Sequence, residues 1–270
     1  MTAEWDLFRD TADYYARYRV PYPAELFEAM RLQTRLSGKG RLLDLGCGTG
    51  EITLPMSRFF REVRAVDVEP EMIAHGRAKA ERLGIANVRW LVSRAEDVEA
   101  PPGFFELITI GAAFHWMDRP LIARRALEWL PAGRYLAVLG SNSPWTGSAE
   151  WQQLALNVIR KWLGEERRAG GGTFQQPTQP HEEVLKAAGF HNVEDREFDV
   201  PYVWSLDAFI GYLYSTSFAS RAVLGDTAKA FEAELRAALL AHDPRGEYEE
   251  TMNIYYILGE RPGPTEQRQG

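Results

Sequence analysis

An α/β fold built on a parallel sheet is predicted by three observations. Arg41-Leu42-Leu43-Asp44-Leu45 has the pattern of a short apolar strand, and it runs into glycines at alternate positions, Gly46, Gly48 and Gly50, before a helical pattern starts. Val63 to Glu69 reads as a second buried strand whose tip carries an acid, Asp67, 23 residues beyond Asp44. From Arg41 onward strand and helix patterns alternate, which calls for a parallel sheet with helices on both faces.

The elements follow in order. Residues 1–38 read as helical and aromatic, with Trp5, Phe8, Tyr14, Tyr15, Tyr18 and Tyr22, and break at Val20-Pro21-Tyr22-Pro23. A second helix is expected from Ala24 to Leu36. Pro55 falls where the first helix of the sheet region should run, and it cannot donate an internal hydrogen bond, so a kink or an opening turn is expected there. Pro70 and Glu71 suit a helix start and Gly84 its stop. Asn87 to Asp97 reads as a third strand with its tip, and a fourth ends in Ile110-Gly111-Ala112-Ala113-Phe114-His115-Trp116. Asp118-Arg119-Pro120 opens a helix that stops at Pro131, and a turn then feeds a strand from Arg134 to Leu139.

Beyond Asn142 the pattern changes. Trp151, Leu154, Ala155, Val158, Ile159 and Trp162 share one face of an amphipathic helix. A flexible loop is expected over 169–179, a helix from Pro180 to Gly189, strands over 191–204 and 247–261, and helical segments over 209–218 and 227–242 between those strands. The tail 262–270 is expected to be disordered. No internal repeat is present.

Composition removes several function classes. The 270 residues are 45% hydrophobic and 12% aromatic, ample for a large core, and carry a net charge of −7. That acidity disfavours a nucleic-acid backbone as partner, because phosphates are neutralised by clustered Lys and Arg. Cys47 is the single cysteine, so no internal disulfide can form and a reducing, cytoplasmic compartment is expected. It sits in the glycine loop, where a small side chain suits a tight turn and a nucleophile is the sharper alternative. His75, His115, His181, His191 and His242 lack metal-ligand spacing, so no metal site is expected. No apolar run reaches the length of a membrane span, and residues 1–9 lack the apolar core of a signal peptide.

The glycine spacing discriminates between cofactors. A dinucleotide loop, G-x-G-x-x-G, would need glycine at 51, where this chain has Glu51. A glutamate there repels a pyrophosphate, whereas S-adenosylmethionine bears a cationic ammonium and sulfonium. The acid about 20 residues on is placed to accept ribose hydroxyls.

With LDLGCGTG at 43–50 and VDVEPEM and SRAEDV following in register, residues 10–140 resemble the class I S-adenosylmethionine-dependent methyltransferases. The closing His115-Trp116 of the fourth strand and the Tyr15 to Pro23 segment are similar to those of small-molecule members related to trans-aconitate methyltransferase. The resemblance implies a Rossmann-like seven-stranded sheet in the order 3-2-1-4-5-7-6, last strand antiparallel, with a helical lid. It implies a lid segment over 1–40, a cofactor-binding core over 41–145, and helical cap insertions with a terminal β-hairpin over 146–262, followed by a disordered tail over 263–270.

It also implies roles. Gly46, Cys47 and Gly48 would line the methionine portion of the cofactor, with Asp44 anchoring its amino-acid end or else tying down the loop. Asp67 would take the ribose, Val68 and Met72 would pack the adenine, and Ala95 and Glu96 would meet its edge. Tyr18 and Arg19 (or Arg17) would approach the methionine carboxylate. Ala112 would stand near the sulfonium, where relatives often carry a polar residue. His115 is the catalytic candidate, as a base for a hydroxyl or as a packed corner that supports the cofactor. Trp145, Trp151, Trp204, Tyr212, Tyr214 and Phe218 are core residues or the walls of an acceptor pocket.

The function implied is methyl transfer to a small molecule, oxygen favoured over nitrogen or carbon, in secondary metabolism, with S-adenosyl-L-homocysteine as product and no nucleic-acid or membrane partner. The alternatives are a binding protein or cyclase that uses the cofactor structurally, a protein or RNA methyltransferase, and a nicotinamide-dependent dehydrogenase.

Overall fold

The computed structural model describes residues 8, 10–143, 146–169, 172–175 and 177–263. Trp5, Trp145 and the tail from 264 onward, together with most of the 1–9 segment, lie outside the described residues. In chain order the elements are α1 (Ala12–Tyr18), α2 (Ala24–Thr34), β1 (Arg41–Leu45), α3 (Thr53–Ser57), β2 (Glu62–Asp67), α4 (Pro70–Arg82), β3 (Val88–Val92), β4 (Leu107–Gly111), α5 (Arg119–Trp129) and β5 (Tyr135–Ser141). There follow α6 (Glu150–Leu163), β6 (Arg168–Ala169), β7 (Gly172–Thr173), α7 (His181–Ala188), β8 (His191–Ser205), α8 (Leu206–Tyr214), α9 (Arg221–Leu224), α10 (Ala228–His242) and β9 (Glu247–Glu260). Short 3₁₀ turns cover Ala95–Asp97 and Phe114–Trp116.

Seven strands form one sheet in the order β3-β2-β1-β4-β5-β9-β8. β1 to β5 pair in parallel, and β9 runs antiparallel to β5 from Ser141↔Ile254 to Tyr135↔Glu260. This is the expected 3-2-1-4-5-7-6 arrangement. The two-residue strands β6 and β7 form a small separate hairpin that the sequence pattern did not announce.

The chain divides into two compact units, and neither is continuous in sequence. One comprises 21–141, 176–198 and 254–270; the other comprises 1–20, 142–175 and 199–253.

The first unit holds the sheet. Alternation along β2 sends Val66 to one face and Ala65 to the other. Val66 joins a core with Leu43, Leu45, Ile108 and Ile110, covered by Ile122, Ala126 and Trp129 of α5 and by Val184 and Leu185 of α7. Ala65 packs with Cys47 and with Ile73 of α4. Burying each large aliphatic or aromatic side chain fully contributes about 1.5 to 3 kcal/mol, which is what fixes these helices on the sheet. The punctuation read from sequence is in place: Asp118 accepts from the Leu121 N–H at 3.0 Å as the cap of α5, and α7 is flanked by Pro180 at its start and by Gly189, in the left-handed region, at its end.

Pro55 lies in the opening turn of α3, one of the two placements expected for it. Leu54 and Met56 donate to the Gly50 and Ile52 carbonyls, but Pro55 between them has no N–H, and the helix lasts only from Thr53 to Ser57. The glycine loop therefore leads into little more than one helical turn.

In the second unit α6 packs on α10 and α1 on α8. Trp151, Trp204, Tyr212, Tyr214 and Phe218 are buried there. Trp204 stands edge-on to Phe209 and tilted on Tyr212. The carboxylate of Glu250 accepts from the side chains of Asn142 at 3.0 Å, Gln152 at 2.9 Å and Trp204 at 2.7 Å, so this unit holds a satisfied, half-buried acid.

Candidate active site

Because β1 to β4 are parallel, their carboxyl ends share one edge of the sheet, and the candidate residues of the first unit gather along it. Gly46 follows β1 with φ +66°, a left-handed conformation that side chains resist, and a Cβ there would lie 2.4 Å from that of Ala113. The loop is then tied to β2: the Cys47 N–H donates to the Val66 carbonyl at 3.0 Å, and the Gly48 N–H donates to Asp67 Oδ2 at 2.8 Å. Asp67 Oδ1 accepts from the Glu69 N–H at 3.0 Å. The Val68 backbone contributes as well, and a carboxylate with about four lone-pair sites still has room for a ligand hydroxyl. Burial raises the Asp67 pKa, against the lowering effect of those backbone bonds.

Asp44 lies beneath the loop. It has no exposed surface, and its Oδ2 and Oδ1 accept from the hydroxyls of Thr53 at 2.5 Å and Thr109 at 2.8 Å. It joins β1, α3 and β4 under the glycines. Burial pushes its pKa up to about 7, the two threonines oppose this, and the charges of Glu51 and Asp67 add to it. Cys47 is buried too, and burial raises its thiol well above the ordinary value, which makes it a packing residue rather than a nucleophile.

Glu51 accepts from Thr49 at 2.6 Å and pairs with Lys79 at 3.4 Å through Oε1, while its buried Oε2 has no hydrogen-bond partner among the described residues. An orphaned carboxylate oxygen beside the loop, with the charges of Glu51 and Asp67 close enough to raise the Asp44 pKa, suits a cationic cofactor and rejects a pyrophosphate.

Val68 is 37% exposed just past β2, and Met72 is buried in the first turn of α4. Ala95 is buried after β3. Glu96 is engaged by the protein: Oε1 accepts from the Asp118 N–H at 2.9 Å and Oε2 lies 3.5 Å from Arg94, while its carbonyl accepts from Arg125. It locks the turn after β3 to the start of α5.

Past β4, Ala112 has φ +49° and is exposed. A non-glycine residue held in this region at a strand tip is stored strain of the kind found at functional sites. His115 follows in the 3₁₀ turn, half-buried, its ring 4.7 Å from that of Trp116, while the preceding Phe114 is buried. Tyr18 and Arg19 belong to the second unit, where Tyr18 lies on Gly211 and Arg19 donates to the Ser215 carbonyl at 3.0 Å.

Three neighbours of the site, Thr53, Thr109 and Ile52, were not singled out by sequence, and a fourth, Tyr22, was named only as part of the Tyr15 to Pro23 segment. Thr53 and Thr109 carry nothing that marks them except their place after the loop and in β4. Ile52 and the Tyr22 hydroxyl crowd the space a Cβ of Gly111 would take, at 2.3 and 3.1 Å. Only the Tyr22-Pro23 pair gave a signal.

A family profile described as a methyltransferase domain matches residues 42–133, the stretch that carries the loop, Asp67 and the β4 tip. The malonyl-[acyl-carrier protein] O-methyltransferase of Paenibacillus sp. (strain JDR-2) is 30% identical over 192 residues, 67% of this chain and 67% of that protein. The chain is a class I S-adenosylmethionine-dependent methyltransferase. The nocamycin O-methyltransferase of Saccharothrix syringae is similar over a longer span, 27% identical across 81% of this chain and 84% of its own. Among solved structures, the YcgJ protein of Bacillus subtilis shares the fold, with a TM-score of 0.58 and 17% identity, covering 89% of this chain and all of that one. S-adenosylmethionine is accordingly the cofactor of this methyltransferase. No helix among the described residues is long and apolar enough to cross a membrane.

Proposed function

We propose that this methyltransferase moves the methyl group of S-adenosylmethionine to an oxygen atom of a small molecule, in secondary metabolism. The similarity to the nocamycin enzyme carries this reading, because it spans 81% of the chain and so extends well past the 42–133 domain shared by methyltransferases with other acceptors. The name of the Paenibacillus relative also specifies an oxygen acceptor.

The bound cofactor supplies an electrophilic methyl group on a sulfonium. Most of the barrier reduction then comes from holding acceptor and methyl in line. In our reading the backbone from Gly46 to Gly48 receives the methionine portion, with the orphaned Glu51 oxygen as an acceptor nearby. Asp67 takes the ribose hydroxyls. Val68 and Met72 pack the adenine, and the Ala95–Glu96 turn meets its edge. Asp44 acts from below as a positioning residue, since both its oxygens serve the loop's supports. Ala112 lies near the sulfonium, and His115 takes the proton from the acceptor hydroxyl as that oxygen gains the methyl.

The test is transfer of an isotopically labelled methyl group to a panel of phenols, carboxylic acids and amines, with His115→Ala run alongside. Oxygen acceptors should be methylated, with the variant losing roughly 10²- to 10⁴-fold in turnover and keeping its cofactor affinity. The wild-type rate should rise with pH as an imidazole loses its proton. Transfer to amines alone would contradict the oxygen assignment, and unchanged turnover in the variant would remove His115 from the chemistry.

A further inference from the structure

A second imidazole brackets the turn that carries His115. His181, the first residue of α7, is half-buried. Its ring lies 5.2 Å from that of Phe114, the buried residue that opens the 3₁₀ turn. Its Nδ1 lies 3.2 Å from Nη1 of Arg119, the first residue of α5. Phe114 and Arg119 stand on either side of His115-Trp116-Met117-Asp118, so one side chain from α7 touches the chain both before and after the candidate base. All of these residues belong to the unit that holds the sheet.

The contacts call for a histidine. A guanidinium can only donate, so the Nδ1 that faces it is the acceptor and the ring is neutral. A neutral imidazole serves Arg119 as an acceptor and still lays an aromatic ring on Phe114, which a phenyl ring or a carboxamide cannot do together. Its surroundings favour that form: burial and then the Arg119 charge lower the His181 pKa, against the opposing charge of Glu182. The same Arg119 nitrogen donates to the Gln179 carbonyl at 2.8 Å, which ties the start of α7 to the start of α5.

The segment held in this way begins under strain. Ala112 has φ +49°, and the turn beyond it is closed by the Trp116 N–H on the Ala113 carbonyl at 2.9 Å and the Met117 N–H on the Phe114 carbonyl at 3.2 Å. A conformation of this kind persists where its surroundings over-determine it. A base in turn works only within hydrogen-bond reach of the proton it takes.

We propose that His181 is a positioning residue for methyl transfer, holding through Phe114 and Arg119 the turn that sets His115 against the acceptor. This rests on the reading of His115 as the base and adds a residue that acts through its neighbours rather than on the substrate.

The experiment uses the full chain, with labelled S-adenosylmethionine and the most rapidly methylated phenol of the acceptor panel for turnover, and amide hydrogen exchange by NMR for the turn. His181→Phe keeps a ring on Phe114 and removes the acceptor from Arg119. It should lower kcat by roughly tenfold to a hundredfold, the scale on which a small misplacement acts, and leave the KM for S-adenosylmethionine unchanged. His181→Asn, whose Oδ1 can stand in for Nδ1, should recover most of that loss. Added to His115→Ala, His181→Phe should cost no further turnover, because both changes act on one proton transfer. In His181→Phe the Trp116 and Met117 amides should exchange at least about tenfold faster, while those of Ile108 and Ile110 in β4 keep their wild-type rates. Losses that multiply in the double variant, or Trp116 and Met117 amides as protected in His181→Phe as in the wild type, would overturn the proposal. Unchanged turnover in His115→Ala would instead remove the reading of His115 as the base, and the amide exchange, which needs no acceptor, would still decide whether His181 holds the turn.

Discussion

Replacing Asp44 with Asn should change the pH dependence of stability in a direction the structure fixes. Asp44 is fully buried, and its pKa stands at about 7 against 3.8 for a solvated aspartate. The native state therefore holds this proton more tightly than the unfolded chain does. Stability from this group is intact below pH 4 and falls as pH rises toward 7, the window in which the unfolded chain has ionised and the native one has not. The gap of about three pKa units corresponds to about 4 kcal/mol at pH 8. Asparagine keeps the shape and can accept from one threonine hydroxyl while donating to the other, so the supports at Thr53 and Thr109 survive. Urea unfolding of both proteins at intervals from pH 4.5 to 8, without cofactor, isolates the group by difference. The variant should gain on the wild type steadily with pH, by up to about 4 kcal/mol. A difference independent of pH would mean that Asp44 ionises alike in both states, and that its burial beneath the loop is wrong.

Gly46→Ala should destabilise the protein by about 1 to 2 kcal/mol for the left-handed conformation alone, and by more because the new methyl would meet Ala113 at 2.4 Å; an unchanged melting temperature would contradict the loop geometry. Cys47 should resist iodoacetamide in the folded chain and react only on unfolding, as followed by mass spectrometry, since its thiol is buried and its pKa raised. Rapid labelling of the native protein would refute that placement.

The sheet was legible because parallel strands write themselves as short apolar runs ended by turn residues. The loop and Asp67 were legible because glycine and acid types are restricted at those points. The caps at Asp118 and Gly189 were readable for the same local reason. What escaped is mostly nonlocal. Thr109 reaches Asp44 across 65 residues of sequence, and the Glu96 carboxylate is claimed by the Asp118 N–H, 22 residues on. Neither partner carries a pattern that announces the other. Pro55 announced the opening turn of α3, but nothing in the pattern marked where that helix ends. The second unit, assembled from three separate stretches, has no single sequence signal. Its aromatic residues read equally well as core or as pocket.

The central claim is that the Gly46–Gly48 loop, clamped by Asp67, binds S-adenosylmethionine and not a dinucleotide. Calorimetric titration of the full chain with S-adenosylhomocysteine and with NAD, repeated on Asp67→Ala, tests it most directly. The account predicts one S-adenosylhomocysteine per chain and no heat from NAD. It also predicts a loss of at least about tenfold in the variant, from about 1.5 to 3 kcal/mol for each charged hydrogen bond removed. Tight NAD binding without S-adenosylhomocysteine binding, or a variant that binds S-adenosylhomocysteine as the wild type does, would contradict it.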